Sequence, residues 1–307
     1  MTGRVVCVGD LMIDVLAELP GPLSPGSDAP ASISVSAGGS AANTAAWLAA
    51  VGVPVTFVGR VGKDSFGEQA EQDLARAGVI SSVTVDPAAP TGVCIVLIGP
   101  DGERTMVPSA GANARLTAAD VLGVLAPDDW LHVSAYPLLR PATNTAVRAV
   151  LLEAERRGLP ISIDAASAAP LLAAGAAEFL SWLPHRSLLI ANADEARSLT
   201  GLHSATASAE ALATGVGAVV IKLGSTGAVV ACGGGVETIG TEPVPVRDTT
   251  GAGDAFAAGL LADLRAGTWP GGLEVLAAAA RCGHRQGAVA VEQLGARPQR
   301  REPARET

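Results

Sequence analysis

The chain has few aromatic residues, 3% of its 307 positions, and few charged ones, 17%, against 49% hydrophobic residues. That balance excludes a largely disordered chain and describes a globular protein with an aliphatic, Ala-rich core. Basic runs are missing as well. Lys and Arg total 21 against 30 acidic residues, a formal charge of −9, and no stripe of them exists to neutralise a phosphate backbone, so nucleic acid is not expected as a partner. No stretch approaches the ~18 uninterrupted apolar residues of a membrane span. The first ten residues enter a strand-like pattern rather than a leader pattern, so a cytoplasmic protein with no membrane association is expected. Cys7, Cys94, Cys232 and Cys282 include no CxxC pair and sit in apolar or helical surroundings, as reduced, packed thiols do. Lysine occurs only at Lys63 and Lys222, beside 19 arginines.

Short apolar runs bounded by Gly, Pro or Asp alternate with longer amphipathic segments. Residues 5–9, 55–58, 131–134, 161–164, 188–191 and 219–223 read as buried strands; residues 41–50, 67–77, 143–157 and 193–199 read as helices. This alternation predicts an α/β fold, a doubly wound and mainly parallel sheet flanked by helices, with ligands at the carboxyl ends of the strands. Two segments break the rhythm. Residues 12–37 carry two strand-like pieces around a Pro/Gly-rich stretch, and residues 91–108 read as a hairpin turning at Pro100-Asp101-Gly102. Strands without a following helix are expected to form a small separate β-sheet, a lid over the site, with an edge extension or a dimer contact as the plainer readings. The expected organisation is one domain over residues 1–296 and a frayed tail at 297–307, where four arginines and two prolines crowd together.

The strongest chemical signal is Asp248-Thr249-Thr250-Gly251-Ala252-Gly253-Asp254-Ala255-Phe256, running into the helical stretch 257–266. Gly251, Ala252 and Gly253 have little or no side chain, so their N–H groups can converge at the positive end of a helix and cradle a phosphate. Asp254 follows in the first turn, where its carboxylate can reach a hydroxyl approaching the same phosphorus. An ordinary acidic helix start is the alternative. The segment is not a dinucleotide fingerprint, since Phe256 stands where the last glycine belongs, and Gly62-Lys63 is not a P-loop, since Phe57 and Asp64 replace the first glycine and the hydroxyl residue. A second signal is Gly38-Gly39-Ser40-Ala41-Ala42-Asn43. Paired glycines let a ligand approach the backbone, and Asn43 offers both a donor and an acceptor to a pair of sugar hydroxyls; alternatively Ser40 simply caps a helix.

These two segments, about 200 residues apart in this order, resemble those of the ribokinase-like (PfkB) family of carbohydrate and nucleoside kinases. The resemblance extends to Gly9-Asp10-Leu11-Met12-Ile13-Asp14, Gly59-Arg60-Val61-Gly62-Lys63-Asp64-Ser65-Phe66-Gly67 and Asn192-Ala193-Asp194-Glu195. It implies an ATP-dependent kinase in which Asp14, Gly38, Gly39 and Asn43 bind acceptor hydroxyls and Asp254 abstracts the proton. It also implies that Asn192 and Glu195 serve the Mg²⁺ and phosphate side, and that Lys222, Gly224 and Gly227 follow the ATP. Asp248, Thr250 and the loop around Gly287 match the place where related kinases hold a monovalent cation such as K⁺. Taken without the family, Asn192 and Glu195 read as a helix cap and a surface glutamate. Ribokinase itself carries a sugar-contacting glutamate near the strand 131–135, where this chain has Ser134-Ala135-Tyr136. For a nucleoside acceptor, Tyr136, Phe57 and Trp47 are the aromatic candidates; for a sugar acid, Arg104 is the lid residue available. A small sugar acceptor is expected, with a nucleoside kinase of the same fold and a non-catalytic sugar or nucleotide sensor as alternatives. The lid is also the candidate contact of a homodimer.

Overall fold

The computed structural model describes residues 3–23, 25–267, 269 and 271–299. Its thirteen strands are β1 (Val5–Val8), β2 (Met12–Glu18), β3 (Ser32–Gly38), β4 (Val55–Gly62), β5 (Ile80–Asp86), β6 (Gly92–Ile98), β7 (Arg104–Ser109), β8 (Trp130–Ser134), β9 (Ile161–Asp164), β10 (Leu188–Asn192), β11 (Ala218–Lys222), β12 (Ala228–Cys232) and β13 (Gly235–Ile239). Nine form one sheet in the order β13-β12-β11-β10-β9-β8-β1-β4-β5. From β11 to β5 every neighbouring pair is parallel. The crossover helices include Ser40–Ala50, Ser65–Arg76, Pro141–Arg156 and Ala193–Thr200. They cover both faces, and two large apolar clusters fill the space between helices and sheet. The central strands are near-continuous Val, Ile and Leu because both of their faces are buried.

Four strands, from the two segments that break the strand–helix alternation, lie outside this sheet. They pair as β3-β2-β6-β7, a small sheet of its own. The expected segments 12–37 and 91–108 therefore do form a lid sheet, with Met12, Cys94 and Val96 making its small buried cluster.

Three features differ from the sequence expectation. The strand expected at 55–58 runs on to Gly62, because Arg60 is neutralised by Asp120 and Asp86 and so tolerates the sheet. The antiparallel extension β12-β13 was not foreseen, although Gly233-Gly234, both at positive φ between apolar runs, is the signature of a tight hairpin. Gly287 lies inside the helix Leu273–Val291, not in a loop. That helix packs against Ala252–Ala266 so closely that a Cβ on Gly283 would meet Phe256 O at 2.9 Å. Of the tail expected at 297–307, residues 300–307 lie outside the described residues, but its first residue, Arg297, is half-buried and hydrogen-bonded to Asn43.

Candidate active site

Lys222, Asn192 and Asp164 stand at the carboxyl ends of three adjacent strands, β11, β10 and β9, where a parallel sheet gathers ligands. Facing them is the start of the helix Ala252–Ala266. Its N-cap is Gly251 at φ 74°, and a Cβ there would lie 2.3 Å from Ala296 O, so both conformation and space require glycine. Ala252 N donates to Thr249 O at 3.2 Å, and the Gly253 N–H behind it lies in the first turn, at the positive end of the helix. A Cβ on Gly253 would lie 3.3 Å from Lys222 Nζ, which places the ammonium beside this cradle. Lys222 Nζ donates to Asp164 Oδ2 at 2.8 Å. Burial opposes the charge on Lys222, but the Asp164 and Glu195 carboxylates outweigh it and hold the ammonium protonated.

Asp254, in the first turn of that helix, accepts from Ser40 Oγ at Oδ1 (2.8 Å) and from Asn43 Nδ2 at Oδ2 (3.0 Å). Burial pushes its carboxyl up to about 7, against the hydrogen bonds from Asn43 and Ser40. Ser40 therefore does not cap its own helix; the N-cap of Ser40–Ala50 is Gly39, without a side-chain cap bond, and the Ser40 hydroxyl is given to Asp254. Asp14 comes from β2 of the lid and lies against Gly38, where an added Cβ would fall 2.3 Å from its Oδ1. Burial raises the Asp14 carboxyl to about 6, while Arg297 draws it down. Asp14, Gly38, Gly39, Asn43 and Asp254 are thus brought to one place.

Asn192 and Glu195 form a reciprocal capping box at the start of Ala193–Thr200. Glu195 is not a surface residue, however: it is 3% exposed, and burial and the nearby Asp164 carboxylate push it upward. Between the turn after β11, residues 241–246 and the helix Leu273–Val291 opens a cavity of about 400 Å³. It is walled by Val244, Val246, Ala288 and Val291 and ends at Lys222 and Gly253, with Gly224 and Gly227 also on its lining.

Asp248 and Thr250 do not stand open. Asp248 Oδ1 accepts from Thr250 N (2.9 Å), from Thr250 Oγ1 (2.6 Å) and from Arg104 Nη2 (2.7 Å), and its Oδ2 accepts from Gly295 N (2.9 Å). Arg104 also donates to Thr250 Oγ1. Despite its burial, these donors hold the Asp248 carboxyl well below the usual range. Arg104 reaches across from β7, so the lid is fastened to the loop that leads into the cradle, and the guanidinium occupies the place expected for a monovalent cation. Spent on this contact, Arg104 is not turned toward an acceptor carboxylate. Of the aromatic candidates, Phe57 and Trp47 are fully buried in the core; Tyr136 alone borders the site, its phenol pushed up to about 12 by burial and by Asp164, Asp254 and Glu195.

Sequence reasoning missed Arg297, Asp164 and the role of Ser40. Asp164 had a signal, an acid closing a buried parallel strand. Arg297 had none beyond its neighbourhood, since it lies 254 residues from the asparagine it meets.

The model of the pfkB family carbohydrate kinase matches residues 2–302. A fructokinase of Klebsiella pneumoniae is 30% identical over 305 residues, 96% of this chain and 95% of the relative. A 2-dehydro-3-deoxygluconokinase of Thermoproteus tenax is 32% identical over 262 residues, 82% of this chain and 79% of the relative. Among solved structures, the fructokinase of Vibrio cholerae O395 with fructose, ADP and a calcium ion superimposes with a TM-score of 0.81 at 26% identity, covering 96% of this chain and 94% of that one. A double mutant of the same enzyme with fructose, ADP and a potassium ion gives 0.79 at 25% identity, covering 96% and 94%.

Proposed function

The chain belongs to the pfkB family of carbohydrate kinases, ATP-dependent phosphotransferases, and from that premise we propose that it phosphorylates a hydroxyl of a small sugar, with Asp254 as the base. The observation that carries this reading is the placement of Asp254 in the first turn behind the Gly251–Gly253 cradle, bonded by Ser40 and Asn43 from the helix that follows the glycine pair.

The acceptor is held by Asp14, Asn43 and the backbone of Gly38 and Gly39. Its hydroxyl oxygen attacks the γ-phosphorus of ATP, the bond from that phosphorus to the β,γ-bridging oxygen breaks, the hydroxyl proton passes to Asp254, and ADP leaves. Since such a transfer is mostly positioning and charge stabilisation, the N–H groups of residues 251–253 and the Lys222 ammonium supply the main electrostatic term. The adenine side lies in the apolar part of the 400 Å³ cavity, near Gly224 and Gly227. Among the described residues no three His, Cys, Asp or Glu side chains cluster as a metal cage. That suits Mg²⁺, which keeps its water and comes with phosphates. The buried Glu195, with Asn192, is the group that would face it, and the ion would neutralise charge on the transferred phosphate. At Asp248 and Thr250 we infer that Arg104 and K⁺ are alternatives: the guanidinium supplies the charge while the lid is fastened, and the ion takes its place when the lid swings away.

A sugar is favoured over a nucleoside because Phe57 and Trp47 are sealed in the core and only Tyr136 is left to stack a base. The lid is also the proposed dimer contact: Val35, Val15, Ile95 and Val107 are lateral neighbours across its four strands, and three of them are about half exposed. The activity is tested by ATP-dependent phosphorylation of a panel headed by D-fructose and including pentoses, 2-keto-3-deoxy sugar acids and nucleosides. Turnover of a sugar supports the reading. Binding of ATP and a sugar with no phosphorylated product from any member would replace it with a sensor.

A further inference from the structure

Among the described residues Arg297 makes no ion pair, and its Nη1 has no hydrogen-bond partner. Its Nε donates to Asn43 Oδ1 at 3.0 Å and its Nη2 to Gly38 O at 3.2 Å, while Nη1 is buried. A desolvated guanidinium with no carboxylate in contact is costly; Asp73, Asp14 and Asp254 favour its charge from a distance, but burial outweighs them and pushes Arg297 down to about 10. Packing alone does not account for a guanidinium here, since an apolar side chain would fill the space without that cost.

We propose that Arg297 is a positioning residue that fixes the orientation of the Asn43 amide and through it keeps Asp254 in the state of a hydrogen-bond acceptor; this rests on the reading of Asp254 as the base. The reasoning is stereochemical. An asparagine amide is nearly symmetric in shape but not in chemistry, one end being an acceptor and the other a double donor. Arginine has donors only. With Arg297 Nε against it, the Asn43 oxygen must face Arg297, and the NH₂ must then face Asp254 Oδ2, where it lies at 3.0 Å. Turned the other way, the Asn43 oxygen would oppose the carboxylate, favour its protonation and remove the proton acceptor. The second bond, to Gly38 O, ties the guanidinium to the glycine pair, so the orientation is referred to the backbone that approaches the acceptor. The strap that carries Arg297 is itself held: Gly295 N donates to Asp248 and Trp47 Nε1 donates to Ala296 O at 2.9 Å.

Besides Arg297, the charged or titratable groups that act on Asp254 are Lys222 from β11, Asp164 from β9 and Tyr136. None of them touches Asn43, so the effect of Arg297 can be separated from theirs. The test follows the side-chain carboxyl ¹³C signal of Asp254 through a pH titration, assigned by its loss in Asp254→Asn, with folding of each variant checked on amide spectra. It needs no acceptor, so it stands even where the panel finds none. In Arg297→Met the midpoint should lie about one pH unit above the parent, and in Asn43→Ala it should rise similarly. The double variant should fall clearly short of the sum of the two singles, because Arg297 acts mainly through that amide and only in part on Asp254 directly. In Arg297→Lys, which keeps the charge but not the fork, the midpoint should fall between parent and Arg297→Met. An unchanged midpoint in Arg297→Met overturns the proposal, as does a double variant whose shift is the sum of the two singles. Should Arg297→Met not fold, a parental midpoint in Arg297→Lys would show that charge alone matters and overturn it equally.

Discussion

The Lys222 ammonium donates to Asp164 Oδ2 at 2.8 Å, and the two residues close β11 and β9 on either side of β10, so the one lysine in the cleft is held by a carboxylate that water barely reaches. The ion pair aims a positive charge at the cradle. Asp164 is 7% exposed, and leaving it unpaired has the cost of a stranded buried charge, about 3–5 kcal/mol. Lys222→Met should therefore melt well below the parent and, where it remains folded, lose about 10²–10³-fold in kcat, as when one donor to a developing oxyanion is removed. Thermal melting and initial rates check both; a parental kcat would remove Lys222 from the phosphate site.

Arg104 supplies the second prediction. Since its guanidinium engages Asp248 and Thr250 from the lid, Arg104→Ala should free both groups and weaken closure. In a buffer without alkali metals the parent should retain most of its rate, whereas Arg104→Ala should be slow and recover on adding K⁺ but not tetramethylammonium. A parent that is inactive without K⁺ would show that the guanidinium does not stand in for the ion.

The sheet was legible because buried parallel strands leave continuous apolar runs, and the lid because β2-β3 and β6-β7 each put two strands in succession with no helix between them. The cradle and the glycine pair were legible for the same reason as each other: small residues at a helix start serve few purposes other than close approach. What was not legible is the wiring between distant segments. Nothing near Arg297 in sequence announces Asn43, and nothing near Arg104 announces Asp248, because long-range side-chain pairs leave no periodic trace. Without the family resemblance Glu195 reads as a surface residue, because helix periodicity does not report that β10 and β11 bury the first turn.

For the acceptor side, the close approach of Gly38 to Asp14 gives a sharp test. A methyl group at residue 38 would lie 2.3 Å from Asp14 Oδ1, so Gly38→Ala must displace the carboxylate. Both Gly38→Ala and Asp14→Ala should raise the KM of the acceptor by about ten-fold or more, the worth of a hydrogen bond to a charged group, and leave the KM of ATP nearly unchanged. Equal losses for both substrates would take these residues out of the acceptor site.

Asp254→Asn tests the base directly and separates chemistry from stability. In an unfolded chain this carboxyl ionises near ~4; in the fold it does so only at about 7. Between those values the folded chain keeps a proton that the unfolded chain has lost, so the stability Asp254 contributes is present at pH 4 and is lost as the pH rises through about 7. Asparagine carries no such charge. The variant should therefore melt above the parent at pH 8, and the difference should shrink toward pH 5. Catalysis should move the opposite way. The parent's kcat should rise with pH through about 7 as the base loses its proton, while Asp254→Asn should lose about 10²–10⁴-fold in kcat and show no such rise, with the ATP dissociation constant little changed because nucleotide contacts lie elsewhere. A variant that turns over like the parent would mean that the proton leaves by another route; one that is slow but melts below the parent at pH 8 would mean that the carboxylate is a structural anchor for Ser40 and Asn43 rather than a strained, ready base.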